Sequence, residues 1–448
     1  MIIIKRSRFI RICNGYNNEL ILLNTYTGDL LTIPSKDSER LEYLLDNPNT
    51  NKYSKLKEEL MKREIIIDDA VNETARAELK YMELAHSTKK LLLTILPTED
   101  CNFRCQYCYE EHNFGKMTRT VINGIKNYLR KNLYRYDMLQ VNWFGGEPIE
   151  ALDILVELSN FFIDICAEQK KPYRASMTTN GYSLNAELFK QLYQLHIVDY
   201  QVTLDGLENA HNLTRPHKDG ANSYKQIVYN LKEIRDKIKT NNINITIRTN
   251  ITKSVLIDFD KHLDFLANEF GYDDRFGVLF KIAWSNEKDT KFNSEELLPT
   301  GELHKILEKC KYKGLRFSIN REQICSISGI CYAAHSNAFV IGADGTLYKC
   351  TVEYKKDINQ IGSIKENGNL VIDKDKWAFW VTKPVFQGEY EKCTNCFFQP
   401  ACMGIYCPIN RFNEKGQHQC VGMKDYVDIY MLLCSQSKNM YERMDING

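Results

Sequence analysis

Three closely spaced cysteines, Cys101, Cys105 and Cys108, follow directly after an apolar run at residues 91–97. The run predicts a buried strand, so the cysteines lie in the loop that leaves its C-terminal end. A loop this short can turn three thiolates toward one point, but a closed zinc site or a fully ligated cluster needs four ligands. If a 4Fe–4S cluster binds here, one iron keeps an open position at which chemistry can occur. A zinc knuckle or three unrelated core thiols are the alternatives.

The spacing C-x3-C-x2-C, with Tyr107 before the last cysteine, resembles the signature of the radical SAM enzymes. The resemblance implies that these three cysteines hold a 4Fe–4S cluster whose open iron binds the amino and carboxylate groups of S-adenosylmethionine. Reduction of the cluster then cleaves the sulfonium and gives a 5′-deoxyadenosyl radical.

Glycines and polar residues follow the next predicted strands. Residues 144–148, Phe-Gly-Gly-Glu-Pro, match the GGEP motif of the radical SAM enzymes, although paired glycines alone predict only a tight strand-to-helix turn. Asn180 and Asp205 are equally suited to shape Asx turns. The resemblance implies that Tyr107 packs near the adenine, and shielding of the cluster is the alternative. No catalytic residue is assigned. The resemblance implies that the contacts to S-adenosylmethionine come from Tyr107, Gly145, Gly146, Glu147, Pro148, Thr179, Asn180, Asp205, Arg215 and Arg248.

The elements that must position these residues alternate between strand and helix from Leu91 to about Trp284. Strands joined by helical crossovers imply a parallel sheet, and in such barrels the site gathers at the C-terminal ends of the strands. We therefore predict an α/β fold with a partial (β/α)6 TIM-like barrel over 91–300. The predicted strands are Leu91–Pro97, Leu139–Phe144, Tyr173–Thr179, Asp199–Leu204, Ile243–Thr249 and Gly277–Ile282.

Residues 1–90 contain no clustered cysteines and read as short strands and helices. One long strand is predicted over Ile2–Ile12, and a second, with a turn inside it, over Leu20–Ile33. This pattern suits a small winged-helix-like domain. Radical SAM peptide-modifying enzymes often carry such a domain, which implies capture of the leader of a precursor peptide as an added strand. A structural cap on the barrel is the alternative.

Eight further cysteines lie between Cys325 and Cys420, within the segment 310–448, enough for two sites of four ligands each. An Asp344-Gly345-Thr346 turn predicts a hairpin whose second strand carries Cys350. The spacing of these eight cysteines resembles that of a SPASM domain, with one extra residue before Cys407. The resemblance implies two auxiliary 4Fe–4S clusters, and thus three clusters in the chain, whereas four-cysteine sites alone also suit zinc ribbons. It assigns Cys325, Cys331, Cys350 and Cys407 to the first auxiliary cluster and Cys393, Cys396, Cys402 and Cys420 to the second.

Composition limits the setting in which the protein works. The formal net charge of the 448-residue chain is only +1, which gives no electrostatic case for nucleic acid or an acidic membrane surface. No apolar run reaches the roughly 18 residues that a membrane span needs. We therefore expect a cytoplasmic protein, in which many cysteines indicate metal sites rather than disulfides. Four isolated cysteines are expected to be buried core residues: Cys13, Cys166, Cys310 and Cys434.

The resemblance implies a peptide maturase that forms an oxidative crosslink, a Cys thioether in particular, in a ribosomally made precursor peptide. A low-potential donor such as flavodoxin or ferredoxin is the implied source of electrons. An anaerobic sulfatase maturase is the competing enzyme class, but Thr351 stands where those enzymes carry an Asp after the residue that corresponds to Cys350. A non-enzymatic, metal-binding peptide scaffold is the third interpretation.

Overall fold

The computed structural model describes residues 3–284, 294–299, 301–311, 313–318, 330–382, 395–402, 408, 422–435 and 442–443. The chain divides into two compact units. The first contains residues 1–86, 319–335 and 381–448, and the second contains residues 87–318 and 336–380. The domain limits expected from the sequence, 1–90, 91–300 and 310–448, remain predictions.

The N-terminal segment of the first unit is built from short strands and three helices. Strands β2 to β4 form an antiparallel meander, and β1 pairs with β5. Leucine and isoleucine side chains of the strands and of the first two helices form its core. The elements are β1 (Ile4–Arg6), β2 (Ile10–Asn14), β3 (Leu20–Asn24), β4 (Leu30–Ile33), α1 (Ser35–Asp46), α2 (Ser54–Lys62), β5 (Ile66–Asp68) and α3 (Glu73–Ala85).

The single strand expected over residues 2–12 was wrong, because β1 and β2 are separate strands in different sheets. The buried carboxylate of Glu73 explains the break. It accepts hydrogen bonds from Ser7 Oγ at 2.7 Å and from the backbone N–H of Arg8 at 3.1 Å. These bonds draw the backbone out of the strand direction at the point where a polar Ser-Arg pair interrupts the apolar run.

Six parallel strands form the centre of the second unit, paired in chain order. This arrangement confirms the predicted α/β class, and all six strands lie within two residues of their predicted ends. The strands are β6 (Lys90–Ile95), β7 (Met138–Trp143), β8 (Tyr173–Thr179), β9 (Ile197–Thr203), β10 (Asn244–Ile251) and β11 (Phe276–Ile282). The connecting and following helices are α4 (Arg119–Asn132), α5 (Leu152–Glu168), α6 (Ala186–Gln194), α7 (Glu208–Thr214), α8 (Ser223–Lys237), α9 (Lys253–Ile257), α10 (Phe259–Phe270) and α11 (Glu302–Lys309).

Side-chain caps fix where several of these helices begin. Thr118, Asn185, Asn222 and Thr252 each accept a hydrogen bond from a backbone N–H in the first turn of the helix that follows. Such a cap satisfies a donor that the helix itself leaves unpaired and stabilises the helix by about 1 kcal/mol. The caps thus set the lengths of the loops that leave the C-terminal edge of the sheet.

Four more strands continue this sheet beyond β6, giving ten strands in all. Strand β12 pairs with β6 in parallel, from Ala338 opposite Leu92 to Ile341 opposite Ile95. The predicted hairpin between β12 and β13 is confirmed, but β13 ends at Tyr348, so Cys350 lies past the strand rather than on it. The remaining elements of the chain are β12 (Ala338–Ile341), β13 (Thr346–Tyr348), β14 (Gln360–Ile364), β15 (Leu370–Ile372), α12 (Lys374–Val381), α13 (Gln399–Cys402), α14 (Val427–Ser435) and β16 (Glu442–Arg443).

The isolated cysteines behave largely as expected. Cys166, Cys310 and Cys434 are buried, whereas Cys13 on β2 is only partly buried, with its Sγ 3.8 Å from the carbonyl oxygen of Asp428. Among the described residues, no helix has both the length and the apolar composition that crossing a bilayer requires.

Candidate active site

The loop that contains the three cysteines is fixed to the segment around the end of α7. The backbone N–H groups of Arg104 and Gln106 donate to the carbonyl oxygens of Pro216 and Thr214, each at 2.9 Å, and Lys218 N donates to the Asn102 carbonyl at 2.8 Å. This pairing is the equivalent of a short antiparallel ladder. It holds the loop after β6 over the C-terminal edge of the sheet.

Cys101, Cys105 and Cys108 all line one cavity at this edge, with a volume of about 140 Å³. Polar side chains from the ends of the neighbouring strands share the wall. Of the residues predicted to contact S-adenosylmethionine, the cavity wall includes Tyr107, Gly146, Thr179, Asn180, Arg215 and Arg248. The other four, Gly145, Glu147, Pro148 and Asp205, lie behind this wall.

The three cysteines are partly buried, and this burial raises the pKa of Cys101 and of Cys108 to about 12 and also raises the pKa of Cys105. Thiolates at this place therefore need a cationic partner, as metal binding supplies when it displaces thiol protons. Within the described residues, no three His, Cys, Asp or Glu side chains are placed to hold one metal ion. The three thiols lie around one cavity, which fits a cluster whose irons each take one cysteine.

The paired glycines follow β7 and bring backbone against backbone. Gly145 has φ +81°, and a Cβ there would lie 2.3 Å from Leu96 Cγ. Gly146 has φ +50°, and a Cβ there would lie 2.2 Å from the carbonyl oxygen of Asp100. Neither position accepts a side chain unless its surroundings move. The backbone of Gly146 can therefore lie against a ligand and against the cysteine loop at the same time.

Glu147 links the ends of two neighbouring strands. Its carboxylate accepts hydrogen bonds from Thr179 Oγ1 and Asn180 N, both at 2.7 Å, and from Ile149 N at 3.3 Å. The side chain is 1% exposed, and burial raises its pKa to about 7 in spite of these donors. Pro148 begins a short 3-10 turn, Pro148–Ala151, that leads into α5. Glu147 and Pro148 thus hold the cavity wall without facing the cavity.

A buried polar network stands behind the loop and is organised by the hydroxyl of Tyr107. This hydroxyl donates to the Asp205 carboxylate and accepts from Arg215 Nη1 at 2.8 Å and from Asn250 Nδ2 at 3.0 Å. Asn250 N also donates to Asp205 Oδ1 at 2.7 Å. The expectation that Tyr107 only packs near adenine or shields a cluster did not include these polar contacts. The network orients Arg215 toward the cavity.

Arg215 is the main buried cation of the site. Burial by itself lowers the pKa of its guanidinium, but the opposing charges of Cys105, Tyr107 and Asp205 raise that pKa well above the usual value. The guanidinium carbon also lies 5.6 Å from the centroid of the Phe103 ring. The Nε atom of Arg215 is buried and has no hydrogen-bond partner among the described residues. A carboxylate ligand in the cavity would satisfy it.

Asn180 combines the two roles that the sequence left open. Its Oδ1 accepts from Tyr182 N at 2.9 Å, as in an Asx turn, while its Nδ2 donates to Asn102 Oδ1 at 2.7 Å and lies 4.0 Å from Cys101 Sγ. Arg248 Nε donates to Asn250 Oδ1 at 2.9 Å. Both side chains therefore reach the cavity while they hold neighbouring groups in place.

Two parts of the wall were missed by the sequence analysis. Glu110 accepts a hydrogen bond from Gly146 N at 2.5 Å, and burial raises its pKa to about 7. The rings of Tyr109 and Trp284 stack with centroids 5.6 Å apart and an interplanar angle of 16°. Trp284 follows β11 by two residues, so the rule that strand ends carry the site could have found it. No local signal marks Glu110, because its partner is far away in the sequence.

The C-terminal cysteines are described only in part. Cys350 is buried, and its Sγ accepts from Val352 N at 3.4 Å. Cys331, Cys396 and Cys402 are partly buried in the first unit. Cys325, Cys393, Cys407 and Cys420 lie outside the described residues. The two predicted sets of auxiliary cluster ligands therefore remain predictions.

Residues 95–266 match the family model of the Radical SAM superfamily. The matched range begins at the end of β6 and includes the cysteine loop, the paired glycines and the Tyr107 network. The chain therefore contains a domain that matches the radical SAM superfamily, whose members are S-adenosylmethionine-dependent enzymes. Enzymes of this superfamily use a 4Fe–4S cluster together with S-adenosylmethionine, and the residues around the cavity fit both groups.

Two curated relatives share parts of the sequence. A GTP 3′,8-cyclase of Aliarcobacter butzleri is 28% identical over 151 residues, which cover 33% of this chain and 45% of that protein. The chain thus spans less than half the length of this relative. A tungsten-containing aldehyde ferredoxin oxidoreductase cofactor-modifying protein of Pyrococcus furiosus is 24% identical over 330 residues, which cover 68% of this chain and 86% of that protein.

Solved structures share the fold at lower identity. Native anSMEcpe with bound AdoMet and the Cp18Cys peptide has a TM-score of 0.59 at 18% identity, and the match covers 78% of this chain and 99% of that chain. Streptococcus suis SuiB bound to S-adenosylmethionine has a TM-score of 0.50 at 16% identity, and the match covers 92% of this chain and 97% of that chain. These likenesses define the α/β barrel-like fold.

Proposed function

We propose that the protein is a radical SAM peptide maturase that installs an oxidative crosslink, a Cys thioether, in a ribosomally made precursor peptide. The observation that carries the proposal is the cavity whose wall includes three partly buried cysteines, Gly146 and Arg215. The cysteine field of the C-terminal segment supports an oxidative reaction, because further clusters would accept the electron that the product must lose.

The chain's own residues bind and orient the cofactors. Cys101, Cys105 and Cys108 would hold the 4Fe–4S cluster, and the Gly146 backbone and Arg215 would bind the amino and carboxylate ends of S-adenosylmethionine. Tyr107 keeps Arg215 in place. When bound, these groups would supply the chemistry of hydrogen-atom abstraction from an unactivated C–H bond.

Water must be kept away from so reactive a species, and the described wall provides for this. The stacked rings of Tyr109 and Trp284 cover one side of the cavity. Phe103 closes another part and is 1% exposed. Thioether formation would remove two hydrogens from the peptide. One leaves the acceptor carbon as a hydrogen atom. The other leaves the Cys thiol as a proton, and the remaining electron would pass to an auxiliary cluster. A low-potential flavodoxin or ferredoxin would start each turnover.

Support for a peptide substrate comes from two sources. The anSMEcpe structure that shares the fold contains a bound peptide. The first unit also contains the β2–β4 meander, in which β2 stands at one end of the strand order. Such an edge can take an extended peptide as an additional strand, which is the proposed binding mode of the leader.

Formylglycine formation in a sulfatase is the second candidate, favoured by the same anSMEcpe likeness. Against it, Thr351 follows Cys350, whereas the resemblance to sulfatase maturases implies an Asp there. A metal-binding scaffold without activity would make neither product. The three proposals therefore differ in products that mass spectrometry can distinguish.

The test is anaerobic purification followed by iron and sulfide analysis and reduction in the presence of S-adenosylmethionine. We expect about twelve irons per chain, corresponding to three 4Fe–4S clusters, together with release of 5′-deoxyadenosine. A Cys108→Ala variant is the matched control and should release none. A Cys-bearing peptide encoded beside the gene should lose two hydrogens, whereas an aldehyde on a sulfatase-derived peptide would favour the second candidate. Bound zinc without release of 5′-deoxyadenosine would refute the proposal that the protein is a radical SAM enzyme.

A further inference from the structure

A second cavity adjoins the cofactor cavity within the same unit. Its volume is about 580 Å³, inside the range of about 300–1,000 Å³ that is typical of sites for small molecules. Glu110 lines both cavities. No residue predicted to contact S-adenosylmethionine lines the second one, so it is a separate space beside the site of hydrogen abstraction.

The wall of this second cavity is acidic. It includes the side chains of Glu99, Glu110, Glu111 and Asp344, and Lys355 is the one basic side chain among the lining residues that the structure describes. Lys355 Nζ lies 3.1 Å from Glu111 Oε1, so the charges of these two side chains offset each other. Among the described residues, the other three acids have no cation within 4.0 Å.

The hydrogen bonds of these acids come from uncharged groups. Glu99 Oε2 accepts from the backbone N–H groups of Asn113 and Phe114, both at 3.1 Å. Asp344 accepts from Thr346 N at 2.9 Å and from its Oγ1 at 2.6 Å. These contacts hold the carboxylates in fixed positions without cancelling their charge. The cavity is therefore prepared for a positive group that the chain itself does not provide.

Aromatic rings form the other part of the wall. Tyr348 and Tyr354 meet edge to face, with centroids 5.1 Å apart and an angle of 88°, and Phe114 stands at the rim with 46% of its surface exposed. Aromatic faces take up the methylene stem of a long side chain and attract its charged end. This combination and the size of the cavity suit a long organic cation rather than a bare metal ion.

We propose that the second cavity is a specificity subsite that binds a Lys or Arg side chain of the peptide substrate. This inference rests on the proposed peptide maturase and specifies which peptides it accepts. A basic residue held here places the neighbouring part of the peptide at the shared wall formed by Glu110. The reacting residue then enters the cofactor cavity.

The experiment measures peptide binding separately from turnover. The probes are acetyl-Gly-Gly-Lys-Gly-Gly-amide and the same peptide with norleucine in place of lysine, added to the anaerobic holoenzyme with S-adenosylmethionine and followed by saturation-transfer NMR. We expect the lysine peptide to bind at least about fivefold more tightly, since a partly exposed charge pair contributes about 1 kcal/mol. An arginine peptide should behave like the lysine peptide.

Two conservative variants locate the effect. Asp344→Asn keeps the hydrogen bond to Thr346 N, and Glu99→Gln keeps an oxygen for the loop amides, so both should fold. Each should reduce the preference for lysine, and the double variant should abolish it. Glu187→Gln, an exposed acid on α6, is the matched control and should change nothing.

The outcomes separate this inference from the proposed function. Equal binding of the lysine and norleucine peptides, or a lysine preference that survives the double variant, would overturn the subsite even if 5′-deoxyadenosine is released. A lysine preference that the double variant removes would support the subsite even if no crosslinked product forms.

Discussion

The hydroxyl of Tyr107 offers the sharpest test of how the site is built. It makes hydrogen bonds to Asp205, Arg215 and Asn250, and two of these partners are ionic groups. Tyr107→Phe removes the hydroxyl and keeps the ring. Tyr107→Leu removes both. If the network holds Arg215 in place, the two variants should lose nearly the same affinity for S-adenosylmethionine.

The magnitude follows from the partners that are left unpaired. A hydrogen bond to a charged group contributes about 1.5–3 kcal/mol. Asp205 keeps the backbone N–H of Asn250 at 2.7 Å, so only part of its hydrogen bonding is lost. We therefore count one charged hydrogen bond and expect the Kd for S-adenosylmethionine to rise about ten- to 150-fold in Tyr107→Phe.

Isothermal titration of the reconstituted protein, without a peptide, measures this Kd. Iron content, determined on the same samples, shows whether the clusters are intact. Tyr193→Phe is the matched control, because it also removes a tyrosine hydroxyl, one that contacts Thr240 on the outside of the barrel at 3.3 Å. The reasoning is wrong if Tyr107→Phe binds S-adenosylmethionine like the wild type while Tyr107→Leu does not. The affinity would then depend on packing of the Tyr107 ring against the nucleotide and not on its hydroxyl.

Two further perturbations test the loop and the buried carboxylate. Gly146→Ala would place a Cβ 2.2 Å from the carbonyl oxygen of Asp100, so the cysteine loop must move. We therefore expect this variant to lose up to about four irons per chain and to lose S-adenosylmethionine binding. Gly301→Ala is the control and should change neither property, because a Cβ at Gly301 meets nothing within 4 Å. Burial raises the pKa of Glu147 from 4.5 to about 7, so the folded protein holds the proton of this carboxyl more tightly than the unfolded chain does. The free energy of unfolding therefore falls as the pH rises from 4.5 toward 7. The loss is about 3 kcal/mol, from about 1.4 kcal/mol for each pKa unit. Glu147→Gln should therefore show a smaller fall in the free energy of unfolding between pH 5 and pH 8 in urea titrations; an unchanged fall would contradict this pKa.

Local patterns in the sequence were sufficient for much of the fold. The apolar runs bounded by turn residues gave the six parallel strands, and β8, at Tyr173–Thr179, has the predicted ends. The ends of these strands can be predicted from local sequence, because each apolar run is about as long as the buried strand that it forms. The pairing of β12 with β6 was not predicted, since it joins segments that are far apart in the chain and no local signal encodes a partner strand.

In the candidate site, too, local motifs could be predicted from the sequence, whereas contacts between distant segments could not. The cysteine spacing and the paired glycines are local motifs, and the sequence placed all of them at strand ends. Glu110 and the Tyr107 network were missed because they bring together side chains from three or more βα units. Asp205 was expected to face the cofactor, yet it stands behind Tyr107. Which of two polar side chains faces a cavity depends on packing, which the order of residues along one strand does not reveal.

The parallel pairing of β12 with β6 also has a consequence for biosynthesis. During translation, β6 emerges early and β12 only after more than half of the chain has been made, so the β6 edge of the nascent sheet stays open for most of that time. Its residues, Lys90–Ile95, are apolar apart from Lys90 and Thr94, and an open, mostly apolar edge invites pairing with other chains. A ribosome-bound chaperone that shields this edge would matter more for this enzyme than for a barrel whose strands are complete before the C-terminal segment appears.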